Sequence, residues 1–224
     1  MKKEREQSIT NILLRFVGYL FPLFQSLPPL GVWTGLMTLP FASYLILVFL
    51  NLASNLPNAL SELFGWLLWP FLIPEKALVI VGLFILIFSA VYLRAMKKEG
   101  LVTSGLYRLI RHPQYLGMTL STLGLTSWSV WVLQNTFGIG FLSPLQTMGV
   151  WFIELAAYIV LASIEEMFLF KNFGECFENY RTQVPFMIPL VKTKRRSIDI
   201  LSSILVPTIL LLVLIFSNNY VIRL

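Results

Sequence analysis

Cysteine and histidine are almost absent from this chain, which contains one of each, Cys176 and His112. A single cysteine excludes an internal disulfide bond. One cysteine and one histidine also cannot supply the four nitrogen and sulfur ligands of an ordinary zinc site. A metal site made of carboxylates is not excluded by this count. No pattern in the sequence indicates one, so we predict no metal.

Charged residues are also scarce. They form 12% of the 224 residues, whereas hydrophobic residues form 57%. Because an average soluble domain has about 25% charged residues, the sequence predicts an integral membrane protein with the lipid bilayer as a partner. The net charge of +6 would suggest nucleic acid binding in a soluble protein. Here the basic residues lie between apolar segments, as is typical of membrane topology, and no nucleic acid partner is expected.

Five apolar segments reach the length of about 20 residues that a membrane-spanning helix needs. They cover residues 31–54, 76–96, 115–134, 147–169 and 199–218. The sequence therefore predicts an all-α, multi-pass transmembrane fold with about five spans. Residues 9–26 superficially resemble a signal peptide, but Arg15 and Pro22 interrupt them, so we expect an N-terminal interfacial helix. Residues 56–74 contain three prolines and are expected to be re-entrant or interfacial.

The positions of lysine and arginine predict the orientation of these spans. If residues 1–30 face the cytoplasm and the spans alternate, all but two of the 17 lysines and arginines lie on the cytoplasmic side. The two exceptions are Lys76 and Arg223. This orientation places the loops 94–111 and 171–196 at the same cytoplasmic face. We therefore expect both loops to contribute to one site there.

The first of these loops and the helix start that follows carry a dense group of basic and aromatic residues. The group consists of Tyr107, Arg108, Arg111, His112 and Tyr115, and it follows glycines that suit the close approach of a ligand. One interpretation is helix-end architecture, with basic and aromatic side chains at the level of the lipid headgroups. The other interpretation is a ligand-binding site.

Two adjacent carboxylates, Glu165 and Glu166, close the fourth predicted span. Carboxylates at membrane depth are costly and usually have a partner or a functional task. A sulfonium cation or an amino group would attract them. The alternative is that both are solvated acids at a helix end.

Residues 92–189 resemble the membrane methyltransferases related to isoprenylcysteine carboxyl methyltransferase and the phospholipid N-methyltransferases. The resemblance is carried by the segment from Gly100 to Gly117, by the two glutamates, and by the downstream FG and VP-x-x-IP elements. It leaves the N-terminal third and the last 35 residues unmatched. It implies methyl transfer from S-adenosyl-L-methionine. Together with the apolar segments, it predicts four parts of the chain: an interfacial segment at 1–30, the first spans at 31–96, a methyltransferase core at 97–190, and a basic loop with a final span at 191–224.

The resemblance further implies roles for individual residues. It implies catalytic roles for Glu165, Arg111 and His112. Glu165 occupies the position of the acid that contacts the methyl donor in the isoprenylcysteine enzymes. The residues implied in binding the cofactor are Glu99, Gly100, Leu101, Val102, Tyr107, His112, Pro113, Gln114, Tyr115, Glu165 and Glu166.

The acceptor half of the pattern departs from that family. Leu161 stands where the isoprenylcysteine enzymes have an arginine that meets the substrate carboxylate. Glu99 replaces a histidine, Phe177 replaces a tyrosine, and Phe186 replaces an arginine that is common in bacterial relatives. The expected acceptor is therefore a lipid-like or small hydrophobic molecule other than isoprenylcysteine.

The residues expected on the substrate side are Glu154, Leu161 and Arg181. Glu154 precedes Glu165 by eleven residues, about three helical turns, so both face nearly the same direction. Glu154 either lines the substrate cavity or bonds a hydroxyl of the third span, such as Thr119 or Thr122. Arg181, or a basic residue from 192–196, is a candidate to meet a substrate anion.

Two other functions fit parts of the sequence. Sterol-type membrane reductases that use NADPH share an Arg-His-Pro-x-Tyr element, but they usually have asparagine before the tyrosine and an acid after the next glycine. This chain has Gln114 and Met118 at those positions. A non-enzymatic membrane protein is the third alternative, although five spans without a two-fold repeat are atypical of a secondary transporter.

Overall fold

The structure is a computed structural model that describes residues 29–53, 73–96, 100–135, 141–189, 191, 193 and 195–221. These residues form six α-helices and one short 3₁₀ helix, and none of them lies in a β-strand. The α-helices are α1 (Pro29–Ala53), α2 (Ile73–Met96), α3 (Pro113–Asn135), α4 (Pro144–Phe173), α5 (Glu175–Gln183) and α6 (Arg196–Val221). The 3₁₀ helix is Gly105–Arg108. The predicted all-α fold is confirmed.

Four of these helices are long and apolar enough to cross a membrane, namely α2, α3, α4 and the Arg196–Asn218 part of α6. They coincide with four of the five predicted spans. The remaining predicted span, 31–54, coincides with α1, in which Gly35–Asn51 is a shorter apolar helix. The predicted interfacial helix at 9–26 and most of the segment 56–74 lie outside the described residues. The described residues from Phe41 onwards belong to one compact unit, which contains everything discussed below.

Local sequence signals fix where the helices begin and end. At the start of α4, the Ser143 side chain accepts a hydrogen bond from the backbone of Gln146, whose side chain accepts one from the backbone of Ser143. This reciprocal cap satisfies two donors that the first turn would leave unpaired. The helix ends before Gly174, which adopts a positive φ of 49°. A proline begins α3, where its missing N–H costs nothing.

The most buried spanning helix is α3, which packs closely against α2. A Cβ atom added to Gly82 of α2 would lie 2.6 Å from the backbone oxygen of Gly117 in α3. A Cβ atom on Gly117 would lie 2.7 Å from the backbone oxygen of Gly82. Only glycine permits this approach, and small residues at helix contacts are typical of membrane bundles. The contact fixes the helix whose first residues form the candidate site.

Polar contacts hold α6 near both of its ends. Near its start, the Asp199 carboxylate accepts a hydrogen bond from Arg111. Near its end, Asn218 donates to the Glu75 carboxylate of α2 at 2.7 Å, and that carboxylate also accepts from Ser127 of α3 at 3.0 Å. The last helix is therefore tied to the centre of the bundle at two separate levels.

Candidate functional site

The two sequence blocks predicted to share a site are in direct contact. The backbone N–H of Arg111 donates to the carbonyl of Pro185 at 2.9 Å, and that of His112 donates to Phe186 at 3.2 Å. The Tyr180 hydroxyl donates to the carbonyl of Tyr107 at 2.6 Å. These bonds join the entry to α3 with the segment after α5, at the end of the bundle where α4 ends and α6 begins.

Arg111 lies at the centre of this contact, with a side chain that is only 1% exposed. Its Nη1 atom donates to Glu166 Oε1, and its Nη2 atom donates to Asp199 Oδ2 at 2.6 Å. Both carboxylates are themselves buried. A guanidinium that uses its two terminal nitrogens in this way is fixed in orientation. Arg111 therefore connects the end of α4 to the start of α6.

His112 lies between the two predicted carboxylates. Its Nδ1 atom is 3.4 Å from Glu165 Oε2, and its Nε2 atom is 3.4 Å from Glu166 Oε1. Burial acts to lower the pKa of His112, but the two glutamates outweigh it, and the pKa is raised above its ordinary value. The imidazole is therefore stabilised in its charged form, between two negative groups.

Aromatic rings enclose this charged group. The Phe186 ring meets the His112 ring edge-on, with 4.9 Å between their centres. The Arg111 guanidinium lies 5.4 Å from the centre of the same Phe186 ring. The Tyr115 ring lies 5.7 Å from His112 on α3. Phe186, which departs from the family pattern, is therefore an apolar cover over the two positive groups.

Glu165 differs from Glu166 in what its carboxylate contacts. The Glu166 side chain is 5% exposed and is engaged by Arg111. The Glu165 side chain is 18% exposed, and among the described residues its Oε2 atom accepts no hydrogen bond. The first acid of the pair is therefore the more exposed of the two, and among the described residues no arginine engages it.

The segment predicted to bind the cofactor runs along the same end of the bundle. Gly100 has a φ of 110°, a conformation that other residues rarely adopt, and Leu101 and Val102 are partly exposed. Burial and the charge of Glu165 raise the pKa of Tyr107, whose protonated hydroxyl donates to Gln114 Oε1 at 2.5 Å. Pro113, Gln114 and Tyr115 are buried in the first turn of α3. Glu99 lies outside the described residues.

The predicted substrate residues lie at different distances from this cluster. Glu154 is buried in α4, where its carboxylate accepts a hydrogen bond from Tyr158 at 2.9 Å and meets Thr122 of α3. The Tyr158 ring packs 5.7 Å from that of Tyr115, which itself contacts His112. The hydrogen bond of Glu154 is thus to Tyr158 of its own helix, and a bond to a hydroxyl of the third span stays a prediction. A substrate role for it stays a prediction.

The other two predicted substrate residues lie near the end of α4. Leu161 is half-buried, and the Arg181 side chain pairs with Glu178 at 3.2 Å. Arg181 also lines an open cleft of about 430 Å³, within the roughly 300–1,000 Å³ of small-molecule sites. The cleft is lined by Glu166, Met167, Phe170, Phe177, Glu178, Arg181 and Arg196.

The sequence prediction missed Asp199. This residue belongs to the part of the chain that the resemblance does not cover, and it opens the last predicted span. The signal that singled out the glutamate pair applies to it as well, because a carboxylate entering the membrane usually has a partner. Its partner, Arg111, lies 88 positions earlier in the chain, and no local pattern joins the two.

Comparison with known proteins gives two curated relatives. The chain is 34% identical over 95 residues to protein-S-isoprenylcysteine O-methyltransferase of Schizosaccharomyces pombe, covering 42% of this chain and 35% of the relative. It is 32% identical over 97 residues to methanethiol S-methyltransferase 2 of Bradyrhizobium diazoefficiens, covering 42% of this chain and 30% of the relative. The chain is similar to membrane methyltransferases of the isoprenylcysteine type. This confirms the resemblance read from the sequence.

The similarity covers only part of each relative. The matched part of the chain spans about a third of the length of each of these relatives. No family model matches the chain, and no solved structure matches it significantly. The activity, the methyl donor and the acceptor are therefore proposals, which rest on the site itself.

Proposed function

We propose that this protein is an S-adenosyl-L-methionine-dependent methyltransferase that acts at the membrane on a lipid-like or small hydrophobic acceptor. The observation that carries the proposal is the placement of His112 between Glu165 and Glu166, with the Glu165 side chain partly exposed and Glu166 engaged by Arg111. Both curated relatives are methyltransferases by name. One acts on isoprenylcysteine and the other on methanethiol, so the relatives share the transfer and differ in the acceptor.

The charges of the cluster suit a cationic methyl donor. Arg111 and protonated His112 are positive, whereas Glu165, Glu166 and Asp199 are negative, so the cluster has one excess negative charge. A sulfonium ion carries one positive charge and would balance it. Because Arg111 engages Glu166 and Asp199 directly, Glu165 is the carboxylate of the cluster that would face the cation. In a buried site such an attraction is much stronger than in water.

The chain's own residues would hold and shield the donor. When bound, S-adenosyl-L-methionine supplies a methyl group that is already activated by the sulfonium. Glu165 would face the cation, and the segment from Gly100 to Val102 would offer backbone groups. Tyr115 and Phe186 would exclude water from the reacting groups. Alignment and exclusion of water are the main contributions that such a displacement needs from a protein.

The fate of the acceptor proton follows from the protonation of His112. A thiol or an ammonium acceptor must lose a proton before or during methylation, whereas a carboxylate or thiolate need not. A protonated imidazole has no free lone pair, so His112 in its charged form cannot take that proton. We propose Glu165, the more exposed acid of the pair, as the base that would take the proton. We assign His112 the role of orienting the two carboxylates, and Arg111 that of positioning Glu166.

The membrane supplies the acceptor's environment. The spanning helices expose large apolar side chains, such as Phe84 and Ile153, that suit contact with lipid. We propose that the site opens to the cytoplasm for the water-soluble donor, in agreement with the distribution of lysine and arginine. An acceptor dissolved in the bilayer would approach from the side of the helices.

Direct binding of the donor tests the proposal. Purified protein in detergent is incubated with labelled S-adenosyl-L-methionine and, separately, with labelled NADPH. We expect saturable binding of S-adenosyl-L-methionine, competed by S-adenosyl-homocysteine, and no saturable binding of NADPH. Saturable NADPH binding without donor binding would instead identify a membrane reductase. Binding of neither molecule would refute an enzyme of either kind.

A further inference from the structure

The last spanning helix contributes a charged residue to the candidate site. Asp199 is 4% exposed and lies in the first turn of α6, where its Oδ2 atom accepts from Arg111 Nη2 at 2.6 Å. The other terminal nitrogen of Arg111 is bonded to Glu166. Asp199 therefore shares one buried guanidinium with the acid that contacts His112.

This arrangement depends on a part of the chain that the family resemblance leaves out. The resemblance ends at about residue 189, and α6 begins at Arg196. The backbone oxygen of Asp199 accepts hydrogen bonds from Ser202 at 2.9 Å and from Ser203 at 2.8 Å, which fix the first turns of α6. The carboxylate is thereby held in place by a well-formed helix start.

The geometry shows what the absence of this carboxylate would change. Among the described residues, Asp199 is the carboxylate bonded to Arg111 Nη2, whereas Glu166 is bonded to Nη1. Without Asp199, the guanidinium would be free to turn its second nitrogen towards the Glu165–Glu166 pair. Arg111 would then offset part of the negative charge of Glu165 that a cationic ligand requires. The same loss would leave the cluster without its excess negative charge.

We propose that Asp199 is a positioning residue of the donor site, which holds Arg111 on Glu166 and so keeps the Glu165 carboxylate available to the methyl donor. This proposal rests on the proposed function. Asp199 acts through Arg111 and need not touch the donor. The final helix is therefore part of the site, in addition to anchoring the chain in the membrane.

Two substitutions at the same position separate charge from packing. Asp199→Asn keeps the size of the side chain and removes its charge, whereas Asp199→Glu keeps the charge and adds one methylene group. If charge matters, we expect Asp199→Asn to weaken S-adenosyl-L-methionine binding by about tenfold or more. Asp199→Glu should stay within roughly threefold of the wild type. If Asp199 acted only through packing, Asp199→Glu would weaken donor binding more than Asp199→Asn.

A third variant controls for loosening of α6. Asn218→Ala removes the polar contact near the other end of the same helix, roughly 28 Å from Asp199 at 1.5 Å per residue, and touches no residue of the site. We expect it to lower the melting temperature and leave donor affinity unchanged. Isothermal titration calorimetry and thermal unfolding without ligand, in the same detergent, give the two readouts for every variant.

Each outcome decides the question. Wild-type affinity in Asp199→Asn, or an equal loss in Asn218→Ala, would overturn the role of Asp199 and leave the proposed function standing. If the wild type itself fails to bind the donor, the proposed function and the role of Asp199 are refuted together. Should Asp199→Asn not fold, Asp199→Glu decides. A loss of more than about tenfold in that variant would refute a role that depends on charge.

Discussion

Replacing each glutamate of the pair in turn should separate donor binding from stability. Glu165→Gln preserves the shape of the side chain and removes the charge that we assign to the methyl donor. A charge-assisted hydrogen bond contributes about 1.5–3 kcal/mol, so donor affinity should fall roughly ten- to a hundred-fold. Stability without ligand should fall by less than about 1 kcal/mol. The reason is that Glu165 is 18% exposed and contacts His112 only at 3.4 Å.

Glu166→Gln is the matched substitution, one residue further along the same helix. Its side chain is 5% exposed and bonded to Arg111, which is itself buried. Breaking a buried ion pair from one side costs about 3–5 kcal/mol, because an uncompensated charge remains in the interior. Asp199 still accepts from Arg111, so we expect a loss of about 3 kcal/mol, at the lower end of that range.

Calorimetry and thermal unfolding of both variants in one detergent measure the two effects. The expected pattern is a large loss of donor affinity with little loss of stability in Glu165→Gln, and a large loss of stability in Glu166→Gln. Unchanged donor affinity in Glu165→Gln would remove this residue from the donor site. Equal destabilisation by both substitutions would show that the pair is structural.

Four further predictions follow from the same contacts and from the charge distribution. His112 is the only histidine, so nuclear magnetic resonance of labelled histidine should give one titrating signal with a pKa above 6.5, lowered by Glu165→Gln; a value at or below the ordinary one would contradict the pairing. Because the pKa of His112 is raised in the folded state, its pairing with the glutamates should stabilise the fold fully below about pH 6.5. This stabilisation should be lost as the pH rises through the folded pKa, and unfolding measured at several pH values tests it. Cysteines placed at Ser104 and Thr193, in a Cys176→Ser background, should react with an impermeant reagent from the cytoplasmic side, and labelling of the two from opposite sides would refute a shared site. In a methylation assay, a neutral or cationic hydrophobic acceptor should be methylated faster than farnesylcysteine, whose carboxylate would lack the arginine that Leu161 replaces. Efficient ester formation on farnesylcysteine would contradict this.

The sequence was sufficient to predict the helices because their signals are local. Apolar runs of about 20 residues, a capping serine and prolines at helix starts act within one helix and depend little on the rest of the fold. The described helices cover all five predicted spans, four of which are long and apolar enough to cross a membrane. The predictions for residues 9–26 and for most of 56–74 stay untested, because those residues lie outside the described part of the chain.

The candidate site was predictable only where it carried a recognisable pattern. A shared site for His112, Glu165 and Glu166 was expected, although the ion pairs of His112 with the two acids were not. Asp199 and Phe186 complete the cluster through contacts between distant parts of the chain. Such contacts depend on how helices pack, and a single sequence does not specify that packing.

The charges of the site also constrain the acceptor. Arg111 uses both terminal nitrogens on Glu166 and Asp199, and the Phe186 ring covers its guanidinium. Leu161 offers no charge where the isoprenylcysteine enzymes place an arginine. The described cluster therefore has no free cation for an acceptor carboxylate, and a buried carboxylate without a partner is costly.

Among the described residues, two basic side chains line the cleft that Glu166 also lines. One of them, Arg181, is already paired with Glu178, and the other is Arg196. An anionic acceptor would have to displace Glu178 from Arg181 or be held by Arg196 alone, with the negative Glu166 close by. A neutral or cationic acceptor meets no such penalty, because the excess charge of the cluster is negative. The same negative charge that favours a sulfonium donor therefore disfavours a carboxylate acceptor, unless the bound donor has first neutralised it.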